Sequence, residues 1–283
     1  MPPTPTVDSR PASLSTLPWR DRLLGHFARR GWRGFLLLQR LLKPASARRE
    51  LRFVTRYGSE FHLVPGDAVD RCVIAEGFYE SEVLEAVRPH LGDGSVLWVV
   101  GANFGLHAVT AKRLHPTTTV VAFEPYPAIA ARLLENAALN SAPLSLHTYA
   151  LSATSGALPF FANASGNPGM STLHPVDSFI YDQRFVVATQ RAADVIERRT
   201  APAPTALIVD AEGAETEVLA GFAQHLSAVA LRVVVFETAN DFIETAQPAD
   251  LHRLLRNAGF SLHRLTRREN TAHGLSNFSA QRE

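Results

Sequence analysis

The sequence predicts a doubly wound α/β fold, in which an open seven-stranded sheet carries helices on both faces. Short apolar runs alternate with segments of helical periodicity along most of the chain, and this alternation is typical of a mainly parallel sheet. One run, at residues 96–100, breaks into a glycine turn that opens a helix. Three runs are followed by a carboxylate, at Glu124, Asp210 and Glu237. Because ligands bind at the carboxyl ends of such strands, the sequence predicts a ligand site at that edge.

The predicted elements follow one another in the order that right-handed crossovers require. Predicted strands cover residues 96–100, 119–124, 144–151, 185–189, 206–209, 232–236, 260–265 and 275–280. Predicted helices cover residues 82–87, 105–114, 128–139, 192–198, 215–222 and 250–257. We expect Ser81 to cap the first of these helices and Gly259 to end the last. The final two strands are predicted to close the sheet as an antiparallel pair, and residues 163–169 to be irregular.

The chain upstream of the sheet divides into three parts. Residues 1–16 hold four prolines and lack apolar periodicity, which predicts a disordered tail. Residues 17–50 repeat apolar side chains at three- and four-residue steps between arginines, which predicts a basic amphipathic helical extension. Two alternating runs at 51–57 and 60–64 then predict a hairpin. We assign residues 51–283 to one domain, so the α/β fold carries an N-terminal helical and hairpin extension.

Charge is unevenly distributed along the chain. Residues 1–60 carry twelve basic and four acidic residues, whereas the whole chain has a net charge of +1. A basic arm on an acidic body favours an anionic partner such as a phosphorylated substrate, a membrane surface or RNA, although a solvated helix face explains it equally well. The aromatic residues of the arm lie on its apolar side, which disfavours RNA.

The length of the apolar runs and the number of cysteines indicate the cellular compartment. The run at residues 35–38 is too short to cross a bilayer, and no earlier stretch has the flanks of a secretion signal. We expect a cytoplasmic, soluble protein, with peripheral membrane contact through residues 19–43 as the alternative. The single Cys72 excludes a disulfide framework and a cysteine-cluster zinc site, and is expected to be a small buried side chain.

The glycine turn indicates which nucleotide the site would hold. A dinucleotide fold needs glycine at the first, third and sixth positions of the turn, but Asn103 and Leu106 stand at the third and sixth, which disfavours NAD. Glu124 follows Gly101 by 23 residues, the spacing of a carboxylate that binds the ribose hydroxyls of adenosine. No Lys-Ser/Thr phosphate cradle follows the turn. An adenosine ligand without phosphates indicates S-adenosylmethionine.

Five segments of the chain occur in one order and together resemble the FkbM family of S-adenosylmethionine-dependent methyltransferases. They are residues 77–80, 101–107, 122–127, 150–152 and 210–221. Asn136, Asn140 and residues 167–173 extend the similarity, which covers roughly residues 52–278.

The resemblance implies a class I methyltransferase (Rossmann-like) fold and methyl transfer, usually to a hydroxyl of a small molecule, sugar or lipid-linked glycan. It leaves the acceptor open, and the sequence carries no signal for oligomeric state. The cofactor contacts that it implies are Glu80 at the amino group, Gly101, Asn103 and Gly105 at the methionine and ribose, Glu124 at the ribose hydroxyls, and Ala150, Leu151 and Ser152 at the adenine edge.

The chain departs from the family pattern at one position. The family has an acidic residue two positions before the first glycine of the turn, and this chain has Val99. By the resemblance, that carboxylate would help to hold the ammonium of the cofactor. Two interpretations stay open: Glu80 takes over this contact, or the chain is a cofactor-binding scaffold without activity. An RNA methyltransferase that uses the basic arm is a weaker alternative.

Methyl transfer itself depends mainly on holding the acceptor oxygen near the methyl carbon, but a hydroxyl acceptor must also lose its proton. Asp210 and Glu212, just past a central strand, are the candidate general bases. In the alternative interpretation Asp210 orients the cofactor and Glu212 caps the next helix. No histidine lies near them in the sequence, so we expect no metal. His107, after the glycine turn, either lines the pocket or is a packed histidine.

Overall fold

The computed structural model describes residues 50–164, 167–177, 179–239, 250–266 and 275–282. The predicted tail and nearly all of the predicted basic helical extension lie outside these residues. Both therefore stay predictions, and so does membrane contact through residues 19–43.

The chain divides into two compact units, and the described part of the first is residues 50–79. Strands β1 (Leu51–Val54) and β2 (Glu60–Leu63) pair antiparallel, which confirms the predicted hairpin. Helix α1 (Ala68–Glu76) follows and was not predicted. Its buried residues include the polar Asp70 and Arg71, and the Asp70 carboxylate accepts the Val64 N–H at 2.6 Å.

The second unit, of which residues 80–266 and 275–282 are described with the gaps given above, contains the sheet. Its elements in chain order are α2 (Ser81–Val87), β3 (Val96–Val100), α3 (Leu106–Leu114), β4 (Thr119–Phe123), α4 (Pro127–Leu139), β5 (Ser145–His147), β6 (Ala150–Leu151), β7 (Gly156–Ala162), β8 (Gln183–Gln190), α5 (Ala192–Glu197), β9 (Ala206–Val209), α6 (Glu215–Ala220), β10 (Val233–Ala239), α7 (Asp250–Asn257), β11 (Ser261–Arg264) and β12 (Leu275–Gln281).

The described residues form a seven-stranded sheet in the order β11-β12-β10-β9-β3-β4-β5. Strands β10, β9, β3, β4 and β5 run parallel, and β12 pairs antiparallel with both β10 and β11. This confirms the doubly wound sheet and its closing pair. The chain winds outward in one direction from β3 and in the other from β9, so the two central strands mark the point where the strand order reverses. Ligand sites of open α/β sheets lie at that point.

Two of the predicted strands lie wholly or partly outside the main sheet, so their predicted place in it is wrong. Residues 144–151 split into β5 in the main sheet and β6 in a second sheet of order β6-β8-β7, and the predicted strand at 185–189 is part of β8 in that second sheet. Alternating burial fits either sheet equally well, so the pattern did not distinguish them. Strand β7 was missed because Pro159 interrupts it, which an edge strand tolerates.

Two boundaries also differ from the predictions. Ser81 is the first residue of α2 rather than its cap, and Glu80 precedes it with φ +52°. Glu237 lies inside β10 rather than after it, opposite Asn277 of β12. Gly259, at φ +89°, follows α7 as expected, and its N–H donates to Arg256 O at 3.0 Å.

The core beneath the central strands is aromatic. Trp98 of β3 is fully buried, and its ring lies 4.8 Å from Phe123 and 5.6 Å from Phe222 between ring centres. Its indole N–H donates to Pro202 O at 2.9 Å, so the polar edge of the ring is satisfied. This packing fixes the carboxyl ends of β3 and β4 relative to the segment after α6.

We expect Gly221→Ala to destabilise the protein by about 1–3 kcal/mol, because overpacking forces the backbone to shift. A Cβ there would lie 2.3 Å from Ser152 O and 3.1 Å from Val218 O. The matched control is Gly156→Ala, where a Cβ would meet no described atom within 4 Å. Urea unfolding followed by circular dichroism measures both variants, and equal free energies of unfolding would contradict the expectation.

Candidate functional site

The loops after β3, β4 and β9 meet at the carboxyl edge of the sheet. The N–H groups of Gly101 and Ala102 both donate to Phe123 O at 3.0 Å. Gly101 has φ +73°, and a Cβ at this position would lie 1.7 Å from Asp210 O. Only glycine allows the two chains to approach so closely, so the first glycine of the turn is required by the neighbouring loop as well as by any ligand.

The rest of the turn is held by its own side chains. Asn103 has φ +49°, and its Oδ1 accepts the Phe104 N–H at 2.8 Å. Gly105, at φ +95°, leads into α3, and a Cβ there would lie 3.0 Å from Val109 Cγ2. The buried Asn136 amide donates to Phe104 O at 3.0 Å. The two asparagines thus stabilise the conformation of the turn.

Glu124 lies directly after β4 and contacts the turn. Its Oε2 accepts the Asn103 N–H and its Oε1 accepts the Tyr126 N–H, both at 2.9 Å. The side chain is 7% exposed, and burial raises the pKa of Glu124 to about 7, although the two backbone donors lower it. Each carboxylate oxygen retains a second lone pair, which is the acceptor set that a pair of ribose hydroxyls needs.

The loop after β9 carries Asp210 and Glu212. The Asp210 N–H donates to Val100 O at 3.0 Å, and Glu212 adopts φ +50°. The alternative in which Glu212 caps α6 is wrong, because no side chain makes a cap hydrogen bond at Ala214, the residue before the helix. Glu215 holds the preceding loop instead: its Oε1 accepts the N–H of Ala211 at 2.9 Å and of Gly213 at 3.2 Å. The carboxylate of Glu212 is therefore available for another role.

Carboxylates converge on this loop. Burial raises the pKa of Asp210 well above its usual range, and repulsion from Glu212, Glu237, Glu80 and Glu215 raises it further. The pKa of Glu212 is raised in the same way. The structure thus brings Glu80, Asp210 and Glu212 into one region of negative potential. Such a region attracts a cationic ligand.

Glu80 is held by its main chain. Its carbonyl accepts the Val83 N–H at 3.1 Å and lies 3.2 Å from His107 Nε2. Burial lowers the pKa of His107, which favours the neutral imidazole and donation from Nε2. His107 therefore contacts the residue before α2 through Nε2, and its lining of the cofactor pocket stays a prediction.

The predicted adenine-edge residues lie in and after β6. Leu151 is 1% exposed and packs in the aromatic core, whereas Ala150 packs beside Tyr126 and Phe160. The Ser152 N–H donates to Gln190 O at 3.0 Å. Contact of these residues with adenine stays a prediction, and at Leu151 it would have to use the main chain.

Val99 is buried in β3, opposite Ala122 of β4 and Ile208 of β9. The residues beside Val99 on both neighbouring strands are thus apolar as well.

In the part of the chain that the structure describes, no group of three His, Cys, Asp or Glu residues could hold a metal ion. No helix within the described residues is long and apolar enough to cross a membrane.

The strand order, the glycine turn and the acidic residue after β4 define a class I, S-adenosylmethionine-dependent methyltransferase. The sequence model described as "Methyltransferase FkbM domain" matches residues 100–262, more than half of the chain. This protein therefore belongs to the FkbM methyltransferase family.

Two relatives by sequence are also named as methyltransferases. The chain is 29% identical to the hexuronic acid methyltransferase AglP of Haloferax volcanii over 74% of this chain and 80% of that protein. It is 31% identical to the methyltransferase sdnD of Sordaria araneosa over 58% of this chain and 73% of that one. Among solved structures, magnesium protoporphyrin IX methyltransferase of Synechocystis PCC 6803 is 13% identical with a TM-score of 0.44, over 95% of this chain and 99% of that chain.

S-adenosylmethionine is the cofactor of this family, and the residues fit it. The free lone pairs of Glu124 suit the ribose hydroxyls. The carboxylates around Asp210 suit the positive sulfonium and ammonium groups. The sequence predicted this edge and most of these residues. It missed Glu215, because nothing in the sequence indicates that this carboxylate accepts the N–H groups of Ala211 and Gly213.

We expect Glu124→Gln to flatten the dependence of stability on pH. A raised pKa means that the folded state holds the proton more tightly than the unfolded state, so the free energy of unfolding falls as pH rises from about 4.5 to about 7. Without this group the fall should be smaller by about 3 kcal/mol, since each pKa unit corresponds to about 1.4 kcal/mol.

Urea unfolding of the ligand-free protein at several pH values measures this difference. The control is Glu135→Gln, which removes an exposed carboxylate of α4 and leaves the other site carboxylates in place. The same pH slope in wild type and Glu124→Gln would show that the environment of Glu124 does not favour its protonated form.

Proposed function

We propose that this protein transfers the methyl group of S-adenosylmethionine to a hydroxyl oxygen of a sugar or of another small-molecule or glycan acceptor. The observation that carries the proposal is the position of Asp210. It follows a central strand, beside the glycine turn, with a pKa raised by burial and by surrounding carboxylates. A carboxylate of raised pKa is a stronger base near neutral pH, as removal of a hydroxyl proton requires.

Each end of the cofactor has its own carboxylate contact. Glu124 accepts hydrogen bonds from the ribose hydroxyls. The ammonium group contacts Glu80, whose carboxylate lies close enough to Asp210 and Glu212 to affect both. Glu80 then takes the role of the acidic residue that the family has at the position of Val99. The backbone of residues 101–105 borders the methionine and ribose.

The chemical step needs one proton acceptor. When bound, S-adenosylmethionine supplies a methyl group activated by the sulfonium. Asp210 orients the acceptor hydroxyl and takes its proton as the oxygen–carbon bond forms, while the electron pair of the breaking carbon–sulfur bond stays on sulfur. Glu212 keeps negative charge beside Asp210 and is the second candidate base. The proton then passes from the carboxyl group to water.

A sugar acceptor is supported by one relative, whose name describes a hexuronic acid methyltransferase. At 29% identity the acceptor can differ within the same chemistry, so neutral hexoses belong in the same test. A second candidate function is favoured by Val99: binding of S-adenosylmethionine without methyl transfer. The two differ in whether bound cofactor turns over.

Two measurements test the proposal. Calorimetry with S-adenosylmethionine, S-adenosylhomocysteine and NAD tests the cofactor, and we expect the first two to bind and NAD not to. Transfer of labelled methyl groups to hexuronic acids, neutral hexoses and their glycosides then tests the acceptor class. Failure to bind S-adenosylmethionine would overturn the proposal. Binding with no transfer to any of these acceptors would favour the second candidate.

We expect Asp210→Asn to fold and to bind S-adenosylmethionine, but to lose methyl transfer by about 100-fold or more, because the amide cannot accept the proton. Glu217→Gln is the control, since it removes a half-exposed carboxylate on α6 that contacts His174. Turnover in Asp210→Asn equal to that of the control would contradict a role for Asp210 as base.

We expect Glu80→Gln to weaken binding of S-adenosylmethionine by about tenfold, because a charge-assisted contact to the ammonium becomes a neutral one. The control is Glu85→Gln on the exposed side of α2, where the carboxylate pairs with Arg88. Calorimetry compares both variants with wild type. Unchanged affinity in Glu80→Gln would mean that another group holds the ammonium.

A further inference from the structure

Glu215 is a buried carboxylate to which the reaction described above assigns no role. It is the first residue of α6 and is 8% exposed. One oxygen, Oε1, accepts hydrogen bonds from two backbone donors, Ala211 N–H at 2.9 Å and Gly213 N–H at 3.2 Å. These donors lie on either side of Glu212, so Glu215 closes the loop that carries both candidate bases.

The loop needs such support because its backbone is strained. Glu212 has φ +50° and Gly213 has φ +97°, and a non-glycine residue in the left-handed region costs about 1 kcal/mol or more. Thr172 contributes from the other side, where its hydroxyl donates to Glu212 O at 2.7 Å. Loss of the Glu215 carboxylate would leave two backbone donors beneath the loop without their acceptor.

We propose that Glu215 is a positioning residue of the methyl-transfer site, whose carboxylate fixes the Asp210–Glu212 loop and keeps a negative charge behind both carboxylates. The inference rests on the proposed function, since it concerns the residues that would face the methyl group. Glu215 acts through these residues and does not itself touch the substrate.

The charges around the loop give Glu215 an electrostatic effect. Asp210 faces Glu212 and Glu215 from its own loop and α6, Glu237 from β10, and Glu80 from the start of α2. Each of the four raises the pKa of Asp210, and Glu237, Glu215 and Glu80 raise that of Glu212. Removal of the Glu215 charge should therefore let both ionise at lower pH.

The pKa of Glu215 itself reflects opposing effects. The net shift is upward: burial raises the pKa and outweighs the backbone N–H donors of Glu215, Ala211 and Gly213, which lower it, while repulsion from Glu217 adds to the rise. Glu217 in turn lies 3.5 Å from His174 Nε2. A pH experiment must therefore compare Glu215 variants with a variant of Glu217, which has the same charge on the same helix.

The experiment uses two probes that differ by one charge, S-adenosylmethionine and S-adenosylhomocysteine. Calorimetry over a pH series gives the ratio of their affinities, which rises with pH as the carboxylates near the sulfonium ionise. Glu124 contacts a part common to both ligands, so its own titration cancels in the ratio. No methyl acceptor is needed.

We expect Glu215→Gln to move the midpoint of this ratio to lower pH by about half a unit or more, because the amide oxygen can still accept the two N–H bonds but carries no charge. Glu217→Gln should shift the midpoint by less than Glu215→Gln does. An equal midpoint in wild type and Glu215→Gln would overturn the electrostatic part of the inference. Absence of S-adenosylmethionine binding in the wild type would instead overturn the proposed function.

A second variant tests the positioning part and covers the case in which Glu215→Gln does not fold. Glu215→Asp keeps the charge but withdraws the oxygens by one methylene from Ala211 N–H and Gly213 N–H. We expect faster amide hydrogen exchange at both residues than in Glu217→Asp, with the affinity-ratio midpoint unchanged. Equal exchange in the two variants would overturn the positioning role.

Discussion

The site depends on one close approach between backbones. The loops after β3 and β9 leave neighbouring strands at the point where the strand order reverses, yet Gly101 lies against the carbonyl of Asp210, where a Cβ would be 1.7 Å away. The same glycine donates its N–H to Phe123 O, so three strand ends are joined at one residue. The positions of Glu124 and Asp210 at the carboxyl edge both follow from this contact.

Much of the fold could be predicted because its signals are local. Strand β9 is a continuous apolar run of four residues, buried throughout, and the glycine turn and Glu124 lie at spacings that a nucleotide site requires. The second sheet could not be predicted, since alternation in residues 185–189 shows that a strand is half-buried but not which strand it pairs with. Helix α1 was missed because its buried residues include the polar Asp70 and Arg71, so its apolar pattern does not match its burial.

The site residues also divide into those that the local sequence predicts and those that only the fold brings together. Asp210 and Glu124 end apolar strands and are visible in the sequence, whereas Glu80 joins them only through folding. Clustered carboxylates repel one another, as the raised pKa values of Asp210 and Glu212 indicate. This repulsion costs the ligand-free protein stability, and a bound cation reduces it. Functional sites commonly carry such local conflicts.

The amide oxygen of Asn103 accepts the Phe104 N–H, and the amide nitrogen of Asn136 donates to the Phe104 carbonyl. Both side chains are thus tied to the shape of the turn. A descendant that had ceased to methylate anything would keep them in order to fold. The two asparagines therefore report how the turn folds, and their presence does not distinguish a methyltransferase from a relative that binds the cofactor without transferring a methyl group.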